Sequence, residues 1–279
     1  MANYTAADVK KLRELTAAGM MDCKNALVEA DGDFDKAAEI LRVKGLKGVT
    51  KREGRSASNG LVAAELDGTA SGVLLELNCE TDFVAKGERF QQVAARLVSH
   101  IASSKPADVV AFLASELEPG TSVQSFVDEA NATLGEKIEV RRFARFDGGY
   151  VATYLHRTSP DLPPQVGVLV ELQGEGDLSE VAKDVAQHIA AFTPTYVNRD
   201  DVPADVVDTE RRLAEATARE EGKAEAAIAK ITEGRVNGFF KENVLGEQSF
   251  AKDQKKTVAS VLDAAGASVT AFARYRVGS

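Results

Sequence analysis

Glu80 and Asp82 set two carboxylates a residue apart in the run E-L-N-C-E-T-D-F-V-A-K, Glu76 to Lys86. Paired carboxylates can share general acid and general base duties. A hydrolytic site also needs a nucleophile or a metal cluster, and neither accompanies them. Cys23 and Cys79 lack metal-type spacing and read as two reduced thiols rather than a disulfide. His100 and His188 each open an H-I-A triplet and have no ligand partner at i+3 or i+4, so a packing role is expected. Asp31, Asp33 and Asp35 have the spacing of a calcium loop. The sixth position is Lys36 rather than Gly and the twelfth is Arg42 rather than Glu, so a turn and helix start is expected instead. No G-x-x-x-x-G-K-[ST] run is present, so direct GTP binding is not expected. No cofactor or metal is expected, and no covalent chemistry. Thr81, Asp82, Phe83 and Val84 stand in the same run as the carboxylates.

An internal repeat shows that the first copy holds additional residues in the region around these four. N-G-L-V-A-A-E-L-D (Asn59–Asp67) corresponds to G-G-Y-V-A-T-Y-L-H (Gly148–His156), and both alternate as half-buried strands do. G-V-L-L-E-L-N (Gly72–Asn78) recurs 95 residues later as G-V-L-V-E-L-Q (Gly167–Gln173), so each pair predicts an antiparallel hairpin. The helical run Val93–Ala102 recurs only 88 residues later as Val181–Ala190, so the first copy holds about seven extra residues between strand and helix. They fall within Cys79–Gln92, where a surface loop on a rigid scaffold is expected. Thr81 and Asp82 suit a turn or a helix cap. Phe83 has two readings: an aromatic folded back over the sheet, as composition favours, or an exposed apolar probe beside a carboxylate.

The elements that must position this loop are α+β in class. Residues 1–55 predict a three-helix module and linker, opened by a capping box at Thr5–Asp8 and an apolar stripe at Val9, Leu12 and Leu15. Lys44–Arg55 is basic and interrupted by glycines, and reads as a linker. The duplicated hairpin-plus-helix units occupy 56–145 and 146–279, with a peripheral helical stretch between them at Ala107–Gly135. Residues 203–242 predict an antiparallel helical hairpin broken at Gly222-Lys223, and Thr257–Tyr275 a final helix with a short strand-like tail.

The net charge of −9 argues against wrapping nucleic acid and suits docking on a basic protein surface. No apolar run approaches 18 residues, and the amino terminus lacks a basic region and an apolar signal core, so a cytoplasmic protein that binds no membrane is expected.

The run Glu76–Lys86 closely resembles the core signature of the bacterial elongation factor Ts family. V-K-K-L-R-E-L-T-A-A-G-M-M-D-C-K-N-A-L (Val9–Leu27) resembles the family's amino-terminal signature, and K-I-T-E-G-R (Lys230–Arg235) and Q-S-F-A-K-D (Gln248–Asp253) follow in family order. Ala17 departs from a usual Gly, and the polar stretch around Ala251–Lys252 replaces two apolar residues found in some relatives. The resemblance implies a ubiquitin-associated-type (UBA-like) head and a guanine-nucleotide exchange factor for the GTPase elongation factor Tu. It implies that Asp82 and Phe83, within Thr81–Val84, dislodge the partner's Mg²⁺. It further implies that Met20, Met21, Asp22 and Lys24 touch the GTPase domain and that His156 holds another partner domain. The helical hairpin offers a surface for self-association as a homodimer.

Overall fold

In this computed structural model, which describes residues 3–16 and 18–279, local sequence signals set the first elements. The Thr5 amide donates to the Asp8 carboxylate (2.8 Å) and the Asp8 amide to the Thr5 hydroxyl (3.2 Å), the reciprocal exchange that opens α1 (Ala6–Thr16). Asp33 accepts from the Lys36 amide at 3.0 Å and caps α3 (Phe34–Arg52), which follows α2 (Met20–Glu29). The Asp31-x-Asp33 turn is thus a helix start. Leu12, Cys23, Leu27 and Ala37 close the module's own core. α3 continues through Arg52, where a linker was expected. Gly45 explains part of this, because a Cβ there would lie 2.7 Å from Ala132 and only glycine lets the helix approach so closely. Ala17, the departure from the family pattern, lies outside the described residues.

The first unit runs β1 (Asn59–Asp67), β2 (Ser71–Cys79), α4 (Asp82–Lys86), α5 (Glu88–Ser104), α6 (Val109–Ala114), β3 (Glu116–Glu118), β4 (Thr121–Ser122), α7 (Val123–Leu134) and β5 (Glu139–Phe146). The second runs β6 (Tyr150–His156), β7 (Val166–Gly174), α8 (Ser179–Phe192), α9 (Ala204–Glu220), α10 (Glu225–Asn243), β8 (Ser249–Phe250), β9 (Asp253–Thr257), α11 (Val258–Ala264) and β10 (Ala267–Arg276). The α+β class and both expected hairpins are present: β1 pairs β2 from Asn59↔Cys79 to Asp67↔Ser71, and β6 pairs β7 from Tyr150↔Leu172 to His156↔Val166.

Each sheet gains a third antiparallel strand that the sequence reading missed or shortened. β5 adds to β2, giving the order β1-β2-β5, and β10 adds to β7, giving β10-β7-β6. β10 is ten residues long rather than a short tail, because α11 ends after seven residues at Gly266 with φ +61°. The stretch expected to be peripheral, Ala107–Gly135, also differs. Phe112 and Val123 are fully buried against Leu75, Leu77 and Leu97, so α6 and α7 belong to the first core.

The two units meet sheet face to sheet face through repeat-related residues. The Val62 amide donates to the Pro164 carbonyl and the Val151 amide to the Thr69 carbonyl, both at 2.8 Å. Val62, Leu74, Val151 and Leu169 are buried between the sheets. The repeat-related glycines seat the contact: a Cβ on Gly72 would meet Val151 and Leu169 at 2.9 Å, and one on Gly167 would meet Val62 at 2.4 Å and Leu74 at 2.9 Å. The helical hairpin forms as expected, with Gly222 at φ +71° turning α9 into α10.

His188, on α8, is completely buried and stacked on Phe192 at 4.7 Å. The Ala251 amide donates to its Nδ1 at 3.2 Å, so Nδ1 carries no proton and Nε2 donates to Gln248 Oε1 at 2.8 Å. Gln248 Nε2 then donates to the Glu242 carbonyl (2.6 Å) and the Phe192 carbonyl (3.3 Å), tying α8 to the base of α10. This packing role is what the repeat implied. Burial holds His188 below its ordinary value of 6.5, so the fold favours the neutral ring. A group lowered in this way contributes stability that is fully present above the unfolded value of about 6.5 and is lost as pH falls from there through the lower folded value. The urea midpoint is therefore expected to drop between about pH 7.5 and 5.5, and to drop less in His188→Gln; equal slopes would exclude His188 as the source.

Candidate functional site

The extra residues of the first copy fold into one short helix and its anchors. β2 ends at Cys79 and α5 begins at Glu88, whereas in the second copy β7 ends at Gly174 and α8 begins at Ser179. Thr81 is the N-cap of α4 and its hydroxyl accepts from the Val84 amide at 3.3 Å. Ala85 is buried and Val84 packs on the first core, so the inner side of α4 is seated. Phe83 points the other way and is 82% exposed. The reading of Phe83 as a cover for the sheet is therefore incorrect, because Val84 and Ala85 already cover it.

Glu80 and Asp82 do not act together. The Glu80 carboxylate accepts from the Lys137 amide at 2.7 Å and from Arg55 Nη1 at 3.2 and 3.3 Å. Asp82 pairs with Lys86 across one helical turn at 2.8 Å. The hydrogen bond from Lys86 and its positive charge hold the Asp82 carboxyl below the usual carboxylate range. The Cys79 thiol is pushed up to about 12, chiefly by burial, and donates to the Thr81 carbonyl at 3.2 Å. A thiol so placed is a structural donor rather than a nucleophile. Cys23 is likewise buried and free. Among the described residues no group of three or more His, Cys, Asp or Glu is arranged to hold a metal ion. Among them also, no helix is long and apolar enough to cross a membrane.

The other candidates sit on segments joined to this end of the first unit. Gln165 Nε2 donates to the Gly60 carbonyl at 2.7 Å and the Gln165 amide to the His156 carbonyl at 2.9 Å, so the end of β6 lies beside the start of β1. β1 starts opposite Cys79, where the α4 segment leaves the sheet. Asp161, in the loop after His156, adds its charge to that of Asp82 at Lys86. His156 is exposed, with Nδ1 3.1 Å from the Tyr154 hydroxyl. The head module is joined to the first unit as well, because Arg89 at the start of α5 donates to the Glu14 carbonyl near the end of α1 at 2.9 Å. Gly19 then caps α2, whose first turn exposes Met20 (56%), Met21 (63%) and the side chains of Asp22 and Lys24.

One feature of the site escaped the sequence reading: Glu136 joins the α4 anchor, accepting from the amides of Glu80 and Thr81.

Together these residues present an exposed aromatic, two exposed methionines, an imidazole and paired charges. A family model described as Elongation factor TS matches residues 80–279. Elongation factor Ts of Streptomyces griseus is 64% identical over 279 residues, covering all of both chains. The Streptomyces coelicolor protein of the same name is 63% identical over the same span. Its counterpart in Thermobifida fusca is 59% identical over 278 residues, covering all of this chain and 99% of the relative. A chain aligned from end to end at this identity, with a family model over most of its length, is a translation elongation factor of the elongation factor Ts family.

Proposed function

We propose that this chain is a guanine-nucleotide exchange factor that binds elongation factor Tu in its GDP state and accelerates GDP release, working in the cytoplasm by binding alone. The observation that carries the reading is Phe83, held 82% exposed at the tip of an additional helix whose inner side is packed. An apolar ring so presented has lost nothing by leaving the core and gains about 1.5–3 kcal/mol when a partner buries it. In nucleotide-binding GTPases a Mg²⁺ ion bridges the phosphates and protein oxygens. Phe83 and Asp82 enter between elements of the partner's GTPase domain and shift those that hold the ion, and GDP then binds less tightly. Met20, Met21, Asp22 and Lys24 add contacts near the nucleotide. His156 holds a second partner domain and fixes the angle of entry.

One ring does not suffice for large accelerations. A 10⁴-fold faster release corresponds to a barrier lowered by about 5.5 kcal/mol, which exceeds the burial of one aromatic. The whole set of contacts must therefore be most complementary to the partner without nucleotide. Reciprocity follows: if this chain weakens GDP binding by some factor, GDP weakens binding of this chain by the same factor. The test is displacement of a fluorescent GDP analogue from elongation factor Tu in the presence and absence of this protein. Faster release supports exchange, whereas binding with unchanged release leaves a scaffold and contradicts the proposal.

A further inference from the structure

We infer that Glu136 is the positioning residue for Phe83, an inference that rests on the exchange reading above. α4 has five residues, and so short a helix does not hold its own geometry. Phe83 itself has little contact to fix it, so its placement comes from the backbone of Glu80–Asp82. Glu136 fastens that backbone. Its Oε2 accepts from the Glu80 amide at 3.1 Å and the Thr81 amide at 3.0 Å, and its Oε1 accepts from the Thr81 hydroxyl at 2.5 Å. The last bond has a consequence one step away. A hydroxyl has one proton, and with that proton committed to Glu136 the Thr81 oxygen presents a lone pair to the Val84 amide, completing the cap of α4.

The clasp is mutual and its base is fixed. While Glu136 takes the amides of 80 and 81, Glu80 takes the amide of Lys137 at 2.7 Å. Gly135, at φ +75°, ends α7 just before Glu136. Ile138, just after it, is pinned by the buried side chain of Asn131, which accepts from the Ile138 amide at 2.6 Å and donates to its carbonyl at 3.2 Å. Glu136 thus stands on a turn held from both sides and reaches across 55 residues of sequence to the cap of the exposed ring.

Exchange kinetics test this with Phe83→Ala, Glu136→Ala, Glu136→Gln and the double variant Phe83→Ala/Glu136→Ala. The readouts are the maximal rate of GDP release from elongation factor Tu and the concentration of this protein that half-saturates it. Misplacing a group that acts by position costs a large factor, so Phe83→Ala and Glu136→Ala should each lower the maximal rate about tenfold or more. The half-saturating concentration should change far less than the maximal rate. Glu136→Gln keeps an acceptor for the two amides and should recover most of the rate. Since Glu136 acts through Phe83, the double variant should be no slower than Phe83→Ala to within about twofold. Full activity of Glu136→Ala beside a slow Phe83→Ala would overturn the positioning role, as would fully multiplicative losses in the double variant. A fully active Phe83→Ala would instead sink the exchange reading on which the role rests. If Glu136→Ala does not fold, Thr81→Val removes the hydroxyl bond of the clasp and the cap that depends on it, leaves the two amide bonds, and should lower the maximal rate by a smaller factor; normal exchange by Thr81→Val would count against the role.

Discussion

Phe83→Ala should slow GDP release from elongation factor Tu by about ten- to a hundredfold, while the protein unfolds at almost the same denaturant concentration as the parent. The two halves of this expectation come from one fact. A ring that is 82% exposed in the free protein contributes little to folding, so its removal falls among surface substitutions, within about 0.5 kcal/mol. The same ring, once buried by a partner, contributes about 1.5–3 kcal/mol, which converts to the stated factor if the burial is complete only as nucleotide leaves. Stopped-flow release with each variant at saturation, paired with urea unfolding, checks both. Loss of folding in Phe83→Ala would mean that the ring is core; unchanged release would mean that it is idle.

The largest effect on stability is expected from Gly167→Val. A Cβ at 167 would stand 2.4 Å from Val62 Cγ1, 2.9 Å from Leu74 Cδ1 and 3.1 Å from Leu155 Cδ2. Val62 and Leu74 are buried between the two sheets, 1% and 0% exposed, and have no solvent to retreat into. Overpacking of this kind costs about 1–3 kcal/mol, and valine adds two further methyl groups to the clash, so the upper end is expected. Thermal or urea unfolding at pH 7.5 reads it. The effect reaches function as well, since this contact sets the second unit, with His156, against the first unit, with α4. A Gly167→Val protein as stable as the parent would show that the sheets separate easily, and the rigid relation between the two units would fail with it.

The duplication made much of this architecture legible. Alternating residues in Asn59–Asp67 and Gly148–His156 and dense apolar runs after them gave both hairpins, because a strand buried on one or both faces leaves that pattern. The shortfall of seven residues in the second copy located the segment that holds α4, which was expected as a surface loop and is a short helix instead. β5 was not legible: Arg141, Arg142 and Arg145 interrupt its apolar positions, and it is a strand because β2 offers it an edge. β10 was shortened for the opposite reason, as Val258 and Leu262 prolonged a helical pattern that Gly266 ends. Gly45 and Gly48 suggested a flexible linker, but contact with α7 keeps that stretch helical. Spacing placed the extra residues within Cys79–Gln92, and only the family resemblance singled out Thr81–Val84 among them; the direction of Phe83 was not legible at all. It depends on Val84 and Ala85 filling the sheet side first. Glu136 was beyond reach altogether, since a contact across 55 residues leaves no periodic trace.

The central claim is that the exposed helix loosens nucleotide by dislodging the partner's Mg²⁺. The most direct test measures release of a fluorescent GDP analogue from elongation factor Tu across Mg²⁺ concentrations, with and without this protein. If the claim holds, this protein accelerates release strongly when Mg²⁺ is abundant. Chelation of Mg²⁺ speeds release on its own, and the further acceleration by this protein shrinks. An acceleration of the same factor with and without Mg²⁺ would contradict the claim and leave distortion of the nucleotide site without the ion as the mechanism.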